Sequence, residues 1–142
     1  MTKSEVIAIL RQPSVTLSLI REKSERIRAL EDAMLPSGVR YDKDRVQGTR
    51  TDPMLVFIER ADALFDEVGE LQSQFIRQSD EAERLISQLD TALERRVLRL
   101  RYIRGFPCEQ IAHIVHYSDT TVYRIRRAAV KHIVERTKDD SE

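Results

Sequence analysis

The chain has 142 residues, 34% of them charged, 41% hydrophobic and 6% aromatic, and its 24 Lys+Arg balance its 24 Asp+Glu. Four Gly, four Pro and no Trp exclude a collagen-like, low-complexity or turn-rich β-sandwich chain, and the single Cys108 excludes an internal disulfide. The longest apolar runs, residues 6–10 and 54–58, are too short to span a bilayer or to form the core of a signal peptide, so an all-α, cytoplasmic protein with no membrane partner is expected.

The first element is a helical segment within residues 1–35. Leu17, Ile20, Ile27, Leu30 and Met34 recur at helical spacing, with Glu22, Lys23, Glu25, Arg26 and Arg28 facing elsewhere. Pro13 lacks an N–H and crowds the preceding turn, which predicts a break or kink near Arg11–Ser14, with Ser14 capping the second piece. Residues 36–52 have no sustained period and contain Pro36, Gly38 and Gly48, so they read as a long loop. Asp52-Pro53 then reads as an N-cap followed by proline at the first helical position.

Residues 53–89 form the second element, a long amphipathic helix with a coiled-coil-like seam. Met54, Ala61, Val68, Phe75, Ala82 and Leu89 repeat every seven residues, and Phe57, Leu64, Leu71, Gln78 and Leu85 follow three positions later. At about 1.5 Å per residue this is a rod on the order of 54 Å long, which cannot bury its seam alone. The first helix can lie antiparallel along part of it, and a second copy of the chain, making a homodimer, could cover the remainder. Gln78 reads as a polar interruption fixing register, or as the place where the helix breaks.

Residues 90–138 switch to short helices with clear punctuation. Thr91 and Glu94 suit a capping box, and Gly105 stops the helix that carries Leu93, Val97, Leu100 and Ile103. Phe106-Pro107 opens a helix from Cys108 to His116, and Ser118 caps a last helix to about Lys138, ahead of an acidic tail at 139–142. The last two helices have the spacing of a helix-turn-helix. Ile111, Val115, Tyr117, Val122 and Ile125 supply the inner positions and Ala112 the small residue at the crossing. His116 stands where glycine is usual, at a cost of a few tenths to about one kcal/mol if its backbone is left-handed. Arg101 and Glu109 flank the turn and suit a structural ion pair.

Charge supports a polyanionic partner for this end. Residues 95–138 carry 11 basic and 3 acidic side chains, whereas residues 53–94 carry 3 and 10. The candidate DNA-binding residues are Ser118, Thr120, Thr121, Tyr123, Arg124 and Arg127 on the last helix. Arg95, Arg96 and Arg99, on the helix that carries Leu93 and Val97, are placed to hold phosphates of double-stranded DNA. Cys108, His113 and His116 match no standard zinc spacing, so no metal is expected, nor any cofactor. With no phosphate loop, nucleophile elbow or metalloprotease motif, the chain does not read as an enzyme.

The stretch VLRLRYIRGFPCEQIAHIVHYSDTTVYRIRRAAVKHI, residues 97–133, resembles the DNA-binding region of sigma factors that contacts the promoter −35 element. Over about residues 38–137 the chain looks like the phage ArpU/RinA-type late-transcription regulators and related uncharacterised phage proteins. That resemblance implies a phage or prophage protein in a bacterial host, with Thr120, Thr121, Tyr123, Arg124 and Arg127 on a recognition helix. The function it implies is sequence-specific regulation of phage late genes, with RNA polymerase as a further partner. Two other readings fit the same pattern: an adaptor that binds polymerase or a sigma factor without touching DNA, and a small terminase-like packaging subunit.

Overall fold

The computed structural model describes residues 1–34 and 52–140, and among these all regular structure is helical. Residues 35–51, which hold nearly all of the expected loop, and tail residues 141–142 lie outside the described residues. Helix α1 spans Lys3–Met34 and α2 spans Pro53–Ile86. Then come α3, Ala92–Leu98, continued by a wider π turn at Arg99–Ile103, then α4, Cys108–Val115, and α5, Asp119–Asp140.

Local chemistry sets most of these boundaries. Thr2 accepts from the Glu5 N–H at 3.2 Å to start α1, and Asp52 Oδ1 accepts from the Met54 N–H at 2.9 Å to start α2 behind Pro53. The Thr91 hydroxyl accepts from the Glu94 N–H and donates to Glu94 Oε1 at 2.7 Å, a variant of the capping box in which the carboxylate takes the hydroxyl proton. Gly105 has φ +75°, the left-handed stop expected after the third helix.

Three expectations are corrected. Helix α1 runs through Pro13 without interruption; the lost hydrogen bond is offset by burial of the ring, which is among the fully buried side chains. Helix α2 is likewise unbroken at Gln78. The helix carrying Val97 and Ile103 is not uniformly α, because the Arg104 N–H reaches back to the Arg99 carbonyl at 2.9 Å. This wider turn shifts the angular phase of the residues after it by about 100°, one residue's share of a helical turn.

The described residues divide into two compact units, residues 1–16 with 74–140, and residues 17–34 with 52–73. The first has two apolar cores. In one, Val6 and Leu10 of α1 meet Leu85 and Ile86 of α2, Leu98 and Tyr102 from the α3 region, and Ile133 of α5. In the other, Val97 packs with Cys108, Ile111, Ala112 and Val115 of α4 and Val122 of α5. Beside the first core the buried Thr16 hydroxyl donates to Gln78 Oε1, so the polar seam residue has a partner on α1. In the second unit Ile27 packs on Leu64 and Val68, with Lys23 Nζ and Glu67 Oε2 2.7 Å apart at its edge. In both units, therefore, α1 of the same chain covers seam positions of α2.

Candidate nucleic-acid interface

Helix α4 ends at His116, whose backbone is left-handed (φ 63°, ψ 42°), and the Tyr117 N–H returns to the Ala112 carbonyl at 3.1 Å. This is the six-to-one closure of a Schellman motif, made without glycine. The chain then reverses within residues 116–118. Ser118 Oγ accepts from the Thr121 N–H at 3.2 Å and lies 2.8 Å from Thr121 Oγ1, which starts α5.

The sides of α5 differ in kind. Val122, Ala129, Val130 and Ile133 are buried. Thr120, Tyr123, Arg124, Arg127 and Lys131 are exposed, and their spacing of three, four, seven and eleven residues puts them on one face. Thr121 is half-buried and engaged with Ser118. Tyr117, expected inside, is 48% exposed because the turn carries it outward just before α5 begins. The second half of α5 is tied back: His132 Nδ1 donates to Glu94 Oε2 at 2.8 Å, and Arg136 donates to Asp90 Oδ1.

The three arginines expected beside α5 divide. Arg96 is exposed. Arg95 Nη1 donates to the Leu89 carbonyl at 2.6 Å, satisfying backbone just past the end of α2. Arg99 donates from both Nε (2.8 Å) and Nη2 to Glu83 Oε1, and that hydrogen bond raises its pKa above the ordinary arginine value. The pairing of Arg101 with Glu109 is replaced by a 3.5 Å contact from Arg101 Nη1 to the Phe106 carbonyl.

Sequence reasoning passed over Arg126. It falls on the buried line of Val122, Ala129 and Ile133, and it is half-buried between α4 and α5, with Nη1 3.8 Å from Cys108 Sγ and its guanidinium 5.2 Å from the centre of the Tyr123 ring. Spacing alone carried that signal: four residues after Val122 and three before Ala129, it cannot point the way Arg124 does.

A family model described as a protein of unknown function (DUF1492) matches residues 35–134. The chain belongs to that family. The matched stretch begins after α1 and takes in α2, α3, α4 and most of α5. No curated protein and no solved structure matches the chain. No helix among the described residues of this DUF1492 member is long and apolar enough to cross a membrane.

Proposed function

We propose that this chain is a sequence-specific DNA-binding regulator of phage late genes, with α4 and α5 acting as a sigma-like helix-turn-helix. In this reading α3, α4 and α5 form the DNA-binding head, and α1 and α2 form a long-helix hairpin that carries it. The observation that supports it best is the outward stripe of Thr120, Tyr123, Arg124 and Arg127, set against the buried Val122, Ala129, Val130 and Ile133 on the same helix. Arginine can fork onto guanine edges, threonine can meet a thymine methyl or a phosphate, and the tyrosine hydroxyl can reach a phosphate. The capped start of α5 adds backbone N–H groups at the same end. Arg96 supplies a phosphate contact. Arg95 and Arg99 are engaged with the Leu89 carbonyl and Glu83, so in this reading they also hold the α3 region against the end of α2.

The test is an electrophoretic shift with the late promoter of the phage genome that encodes the chain. Wild-type protein retards that duplex without polymerase, and the Arg124→Ala/Arg127→Ala double variant loses discrimination between promoter and scrambled DNA. Arg96→Ala weakens binding to both alike. Four neutralised phosphates would give a slope of log affinity against log salt of about −3.6. Equal affinity of the wild type and the double variant would remove the site assignment.

A second reading, the polymerase- or sigma-binding adaptor, is favoured by one observation. Leu55, Ile58 and Phe65 of α2 are exposed apolar side chains in the second unit. The same experiment separates the two, because an adaptor shifts promoter DNA only when polymerase is added.

A further inference from the structure

Arg126 differs from its basic neighbours. Arg124 and Arg127 are exposed, whereas Arg126 is half-buried, and among the described residues no carboxylate pairs with it. One edge of its guanidinium approaches Cys108 Sγ, buried in the first turn of α4, at 3.8 Å. The same group lies 5.2 Å from the centre of the Tyr123 ring, inside the range for a cation–π contact. A single side chain therefore bridges the contact between α4 and α5 to an aromatic ring on the outer face. An exposed tyrosine otherwise samples several rotamers, and freezing it on binding costs conformational entropy. A cation fixed against the ring, and itself fixed by the packing beneath, removes much of that cost beforehand.

We infer that Arg126 is a positioning residue for Tyr123: it presets the ring on the outward face of α5 for contact with duplex DNA and is not itself a phosphate contact. This rests on the DNA-binding reading above. A guanidinium carries several N–H groups on one rigid fork and can meet the sulfur and the ring together, whereas the single ammonium of a lysine cannot hold both contacts at once. The inference also assigns Tyr123 a contact that depends on where its ring sits.

The experiment is a double-mutant cycle read by fluorescence anisotropy on a short random-sequence DNA duplex, using Arg126→Lys, Tyr123→Leu and the double variant of the full chain. Lysine preserves the charge, so the general attraction to phosphate is unchanged. With Tyr123 present, Arg126→Lys weakens binding by up to about fivefold, because a cation no longer anchored at Cys108 fixes the ring less firmly. With Tyr123→Leu, the same change has no further effect. In the free protein, Arg126→Lys also moves the Tyr123 ring proton resonances, a readout that does not need DNA. Equal losses in both backgrounds, or full affinity retained by Arg126→Lys, would overturn the positioning role while leaving the DNA-binding reading intact. Failure of the wild-type chain to bind any duplex would overturn both.

Discussion

His116 shows how much one backbone angle can decide. A non-glycine residue in the left-handed region carries strain between Cβ and the following carbonyl, and His116 accepts it because the turn between α4 and α5 requires that angle. Its side chain is exposed, and among the described residues no hydrogen bond or ion pair is found for it, so the imidazole offers little in return. His116→Gly therefore removes strain but adds freedom to the unfolded chain. The balance favours the variant by about 0.5–1 kcal/mol, a gain that a thermal melt detects. No gain in stability would mean that the turn holds His116 without strain. Gly105 is the converse case: its φ of +75° suits glycine, and the position was legible in the sequence because a helix stop is local chemistry. The same holds for Asp52-Pro53 and Ser118, whose capping oxygens act within three residues of themselves.

At the level of helices, the heptad arithmetic located α2 and its apolar seam, but it left the cover shared between α1 and a second chain without naming the residues that supply it. Val6, Leu10 and Ile27 of α1 take that place. Pro13 and the π turn escaped sequence reasoning for a related reason. Their conformations are held by burial and by bonds reaching one residue further than usual, and neither leaves a mark on propensity. The partners of Arg95 and Arg99, the Leu89 carbonyl and Glu83, were not legible in the sequence because they become neighbours only after folding. The face of α5 was readable, since spacing alone separates Arg124 and Arg127 from Val122. Gln78→Leu strands the buried Thr16 hydroxyl and destabilises the protein by about 1–3 kcal/mol, whereas adding Thr16→Val recovers most of the loss, as chemical denaturation of the four proteins would reveal. Between α1 and α2, the hydrogen bond and charge of Lys23 lower the Glu67 pKa. A lowered carboxylate contributes stability above its unfolded-state value and loses it as pH falls through the folded one. Lys23→Met should thus shift the urea midpoint at neutral pH and leave it unmoved in acid; an equal shift at both would show that charge is not the cause.

For the molecule as a whole, the zero net charge divides into an acidic stretch and a basic one, and ion pairs such as Glu83 with Arg99 tie the two together within the first unit. Adjacent residues on α3 go to different cores: Val97 to the one beneath α4, and Leu98 to the one shared with α1 and α2. One short helix is thereby shared by both cores, so opening either should disturb the other. Heat or denaturant should meet a single cooperative melt in this unit, with backbone amides at Ile111 and Ile133 exchanging their hydrogens through the same opening. A lesion in the core beneath α4 would then also loosen the adjoining C-terminal end of α2, so lost packing of α4 on α5 and susceptibility to proteolysis near Ile86 would travel together.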